Sequence, residues 1–130
     1  MKLHGILNSE ISSVLSYMGH YDTIAIGDCG LPIPQDVKRI DLALAFQKPT
    51  MLEVLEELLK DFKYEYVLLA EEIHQQPALL QQIEQLVGAS AIRFVPHEAF
   101  KKETHKSRAV IRSGDTTPYA NIILVSAVVF

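Results

Sequence analysis

Residues 18–34 read MGHYDTIAIGDCGLPIP, and the rest of the chain is organised around them. Thr23, Ile24, Ala25 and Ile26 have the length and β-branched content of a buried strand, and Gly27, Gly30, Pro32 and Pro34 break the run into a loop. Asp28 therefore falls at the strand's C-terminal end. In open α/β sheets that edge is where ligands bind, because the loops leaving the strand ends form the crevice. His20 and Asp28 flank the strand.

Outward from this stretch, strand-like and helix-like segments alternate. Asn8 or Ser9 can cap a first helix, since a short polar side chain accepts a hydrogen bond from an otherwise orphaned N–H. Ile11, Val14, Leu15 and Met18 follow at helical spacing, with Gly19 as the expected C′ residue. On the other side, residues 37–44 (VKRIDLAL) make a short strand. Thr50 and Glu53 form a capping box that opens a helix with Met51, Leu52, Leu55, Leu58 and Leu59 on its apolar stripe. Residues 66–70 are a further strand. Pro77 at the first helical position and Gly88 past the last bracket a helix carrying Leu79, Leu80, Ile83, Leu86 and Val87. Residues 92–95 are a strand followed by a helical turn over 96–102, and residues 109–111 and 122–129 are the last two strands.

Alternation of this kind predicts an α/β fold, three layers (α/β/α) around a mixed, mostly parallel sheet, in one domain over residues 1–130. The SGDTTPYA segment between the last two strands is too short for a helical crossover and permits an antiparallel pair. The closing Ala127, Val128, Val129 and Phe130 are apolar throughout, which predicts a buried tail, against the fold or a neighbouring subunit.

Composition narrows the function classes. With 48% apolar and 22% charged residues the chain is globular in character, and its net charge of −4 argues against a nucleic-acid binder, which would carry a basic face. No run approaches the 18 apolar residues of a membrane span. The single cysteine, Cys29, allows no intrachain disulfide and fits a reducing cytoplasm; its expected role is that of a small packed residue. His4, His20, His74, His97 and His105 are not spaced as metal ligands, so no metal site is expected. His74 and His105 sit in polar surroundings and read as solvated surface. Neither GxxxxGK[ST] nor GxGxxG occurs, so no phosphate cradle points to a nucleotide cofactor.

Three blocks, HGILNSEI, GHYDTIAIGDCGLPIP and IRSGDTTPYANIIL, occur in one register across residues 2–130, and in them the chain resembles the ribose pyranase family, related to the fucose mutarotases. The resemblance implies a cofactor-independent isomerase that interconverts the pyranose and furanose forms of D-ribose. Alternatives are a mutarotase for fucose or another monosaccharide, and a non-catalytic sugar-binding protein. It implies His20 as the acid/base residue, with Asp28, His97 and the segment Tyr119, Ala120, Asn121 contacting the sugar. It also implies a cytoplasmic homo-oligomer, pentameric or decameric, with sites near subunit boundaries.

The same residues have plainer readings. Asp28 can be a turn residue bonding its own backbone in the GDCG loop, and Tyr119 and Asn121 can belong to a Pro-initiated turn. Sugar binding is chemically apt for both: a tyrosine offers an apolar face and a hydroxyl, an amide both a donor and an acceptor. Arg112 and Asp115, in the same block, are expected as a supporting ion pair.

Overall fold

A computed structural model describes all residues, Met1 to Phe130. Its elements are α1 (Ser9–Tyr17), β1 (Thr23–Gly27), β2 (Lys38–Asp41), α2 (Met51–Lys60), β3 (Tyr64–Ala70), α3 (Pro77–Val87), β4 (Ile92–Val95), α4 (His97–Glu103), β5 (Ala109–Arg112) and β6 (Ile122–Ser126), with short 3-10 turns between some of them. The expected caps form. Asn8 Oδ1 accepts from the Ile11 N–H, Thr50 and Glu53 close a reciprocal capping box, and Pro77 and Gly88 (φ 83°) bound α3. Gly19 departs from expectation: α1 ends in extended backbone at Met18, and the Gly19 N–H is taken by Asp22 Oδ2 rather than by a left-handed cap.

The six strands form one sheet in the order β2-β5-β1-β6-β3-β4. β2, β5 and β1 pair in parallel, as do β3 and β4, and β6 runs antiparallel between β1 and β3. The direction of β6 follows from its short connection, but the antiparallel β5–β6 pair that the connection permits does not form. The connector instead steps over the end of β1. Ser113 N–H and Oγ–H both donate to the Gly27 carbonyl, and the Cys29 N–H donates to the Asp115 carbonyl, so β6 lands on the far side of β1.

Strand β1 is buried on both faces. Ile24 and Ile26 join the larger core with Ile11 and Val14 of α1, Met51, Leu55 and Leu58 of α2, and Ile83 of α3. Ala25 faces a smaller core with Leu31, Val110, Ile123 and Phe100 of α4. This is a three-layer arrangement with unequal outer layers. Each fully buried Leu or Ile side chain in it contributes about 1.5–3 kcal/mol. The tail is not buried against the fold of its own chain: β6 stops at Ser126, and Val129 and Phe130 are 82% and 100% exposed. No helix is long and apolar enough to cross a membrane.

Candidate functional site

Because β6 alone runs against the other five strands, its start shares an edge of the sheet with their C-terminal ends. Asp28 (after β1), Arg112 (ending β5), His97 (after β4) and Tyr119, Ala120 and Asn121 (before β6) are all delivered there. Asn121 is completely buried, and its Oδ1 accepts the Asp28 N–H at 2.7 Å. Only the oxygen of the amide can face a donor, so Nδ2 is turned the other way, and it has no partner in the chain. Gly27 leaves room for Leu31 beside this contact: a Cβ there would lie only 2.7 Å from Leu31 Cδ2, and 3.4 Å from Asn121 Oδ1.

Tyr119 takes a left-handed backbone (φ 68°) in a tight turn closed by the Asn121 N–H onto the Tyr119 carbonyl at 2.8 Å. Its ring meets the His97 ring edge-on, with centroids 5.2 Å apart. His97 opens α4, where its N–H donates to Glu72 Oε2 at 2.7 Å, and its buried Nδ1 is the second polar atom without a partner. A native interior rarely leaves such groups unpaired. Ala120 is buried in the larger core and contributes backbone only. Asp28 Oδ1 accepts from the Gly30 N–H at 2.9 Å, so the turn role exists alongside whatever else this carboxylate does.

The expected Arg112–Asp115 ion pair does not form. Arg112 lies in register with Asp41 on neighbouring β2 and binds it at 3.2 Å, while its Nε donates to the Cys29 carbonyl. Burial raises the Asp41 pKa, but the Ala43 N–H and Arg112 outweigh it and hold this carboxyl below its ordinary value. Asp115 turns inward, 4% exposed, to the N-terminus of α2. Beside Arg112 a groove of about 400 Å³ is lined by Cys29, Gly114 and the 43–46 loop, so Cys29 is half-exposed rather than packed away. No group of three or more His, Cys, Asp and Glu side chains is gathered to hold a metal ion.

His20 is elsewhere. It lies before β1, at the opposite edge of the sheet, and the rise of about 3.3 Å per residue makes β1 alone about 13 Å long. Its turn is firmly built. Asp22 Oδ2 accepts the Gly19 N–H, Arg108 binds Asp22 Oδ1 at 3.0 Å, and Tyr21 (φ 67°) donates its N–H to the Ser126 carbonyl. The Gly19 N–H, and after it Arg108, hold the Asp22 carboxyl below its ordinary pKa. The His20 imidazole stacks on Tyr21 at 3.8 Å, and its Nε2 lies 3.4 Å from Glu65 Oε2. Glu65, Glu72 and the inward role of Asp115 carried no signal in the sequence, since each depends on long-range pairing. Within one chain, Asp28, His97, Tyr119 and Asn121 come together, and His20 does not join them.

The fold and this polar edge define a small single-sheet α/β protein with buried, unpartnered polar groups at the C-terminal ends of its parallel strands. The model of the RbsD / FucU transport protein family matches residues 1–129, and the chain belongs to that family. It is 51% identical to a D-ribose pyranase of Bacillus cereus (strain ATCC 10987 / NRS 248), over 131 aligned residues covering the whole of both chains. Bacillus subtilis RbsD, solved in complex with D-ribose, superposes with a TM-score of 0.96 at 40% identity, again over the whole of both chains. The fucose mutarotase of Streptococcus pneumoniae, solved with L-fucose, shares the fold at a TM-score of 0.83 and 22% identity, over 95% of each chain.

Proposed function

We propose that this chain interconverts the pyranose and furanose forms of D-ribose without a cofactor, with Asp28, His97 and the Tyr119–Asn121 segment holding the sugar and His20 moving the proton. The observation that carries the reading is the pair of unpartnered buried atoms, Asn121 Nδ2 and His97 Nδ1, at the sheet edge beside Asp28. A sugar hydroxyl both donates and accepts, so it satisfies an amide N–H and an imidazole nitrogen alike. Whole-chain identity of 51% to a D-ribose pyranase favours ribose over fucose as substrate.

The chemistry is modest. A base takes the proton of the anomeric hydroxyl while an acid delivers one to the ring oxygen, the bond from C1 to that oxygen breaks, and the open aldehyde recloses through the C4 hydroxyl. One imidazole can serve both halves by returning the proton it took.

His20 and the sugar-holding edge lie at opposite ends of one sheet, so the reaction needs two copies: His20 of one and the Asp28 edge of the next. Such a contact joins unlike surfaces, and its repetition closes a ring when the rotation between copies divides a full turn. Exposed apolar groups suit it at both ends. Tyr21 and Val129 lie by the His20 edge, and Leu44 and Phe46 by the Asp28 edge. The pentamer or decamer implied by the resemblance, and a cytoplasmic site of action, belong to the same proposal. Exchange NMR on D-ribose with catalytic amounts of protein tests it. Faster exchange between the pyranose and furanose anomers supports the reading, and an unchanged rate rejects it.

A further inference from the structure

We propose that Asp115 is a positioning residue for the sugar-holding edge, through which the Asp28 loop and the Tyr119–Asn121 turn are set at a fixed separation. The inference rests on the function just proposed. The Asp115 carboxylate is buried and touches none of the groups assigned to the sugar. Each of its oxygens is committed: Oδ2 accepts the Met51 N–H at the start of α2, and Oδ1 accepts the Thr117 N–H, both at 2.9 Å. Its carbonyl accepts the Cys29 N–H at 2.8 Å, and its own N–H bonds to Ser113 Oγ, which in turn donates to the Gly27 carbonyl.

One residue thus ties together the end of β1, the first turn of α2 and the turn that precedes β6. The first turn of α2 has no helical acceptor for its N–H groups, and Asp115 supplies one with Oδ2 while Oδ1 holds the Thr117 turn. An amide cannot replace it. Asparagine has one acceptor oxygen, so its NH2 group would face one of the two backbone N–H groups, and either α2 or the Thr117 turn would be released. Release of the turn shifts Tyr119 and Asn121 relative to Asp28 without touching His20, so substrate binding suffers and proton transfer does not.

Asp115→Asn is therefore expected to raise KM for ribose by about tenfold or more, the scale of losing a buried charge-assisted hydrogen bond, while kcat stays within about twofold. Asp115→Glu keeps two acceptor oxygens and should recover most of that loss. Ile83→Val, in the larger core and in none of these contacts, serves as the control for stability loss alone, which lowers the active fraction without moving KM. Amide hydrogen exchange reads the positioning without sugar: Cys29 and residues 117–121 should lose protection in Asp115→Asn and keep it in Ile83→Val. Unchanged KM and unchanged protection in Asp115→Asn overturn the inference. If the wild-type protein fails to accelerate ring exchange, the functional proposal falls, and the protection pattern still decides whether Asp115 positions this edge.

Discussion

At the scale of single residues, the site is defined by what its polar atoms leave unspent. Asn121 uses its oxygen on the Asp28 N–H and leaves its NH2 free, and Asp28 uses one oxygen on the Gly30 N–H and keeps the other. In the proposed site, removing the Asp28 carboxylate would leave sugar hydroxyls without an acceptor, so Asp28→Ala should weaken ribose binding by about 1–3 kcal/mol, measured by calorimetry. An unchanged affinity would return Asp28 to a turn role alone. His20→Asn keeps a hydrogen-bonding side chain but cannot shuttle a proton. Ring exchange should fall about 10²-fold or more while ribose still binds, and near wild-type exchange would remove His20 from the mechanism. Gly27→Ala places a methyl group against Leu31 and toward Asn121 Oδ1, and should weaken ribose binding together with stability, seen in calorimetry and thermal melts.

Whole elements explain what the sequence disclosed and what it concealed. Caps and apolar stripes are local, so α1, α2, α3 and every strand were legible from spacing and from residues such as Thr50, Glu53, Pro77 and Gly88. Strand order is not local. Nothing between Ser113 and Asn121 announces that the chain crosses β1 before turning back, which sends Asp115 to α2, and nothing local announces the β2–β5 register that sends Arg112 to Asp41. The same holds for His20 and Asp28: sequence places them at either end of β1, and only the strand's length shows that they cannot meet. The His20 turn makes its own prediction. Because Asp22 has a lowered pKa in the folded chain, its contribution is complete above the ordinary carboxylate range and is lost as pH falls through the lowered value. Between pH 7 and 3 the melting temperature of the wild-type protein should drop more than that of Asp22→Asn, with the difference developing below about pH 4. Parallel curves would show that the Gly19 and Arg108 contacts carry no stability.

For the whole molecule, the separation of His20 from the Asp28 edge of the sheet is what makes the proposed reaction need two copies. Two inactive variants provide the most direct test, because each is expected to damage a different half of the site. His20→Asn leaves the Asp28 edge intact, and Asn121→Ala leaves His20 intact, so each homo-oligomer is expected to be nearly inactive. When the two are dissociated, mixed in equal amounts and reassembled, about one subunit contact in four should join an intact His20 to an intact Asn121, by random pairing around a ring. Exchange NMR on D-ribose should then recover about a quarter of the wild-type rate. Reassembled mixed oligomers, verified by mass spectrometry, that recover no activity would contradict a site shared between neighbouring copies.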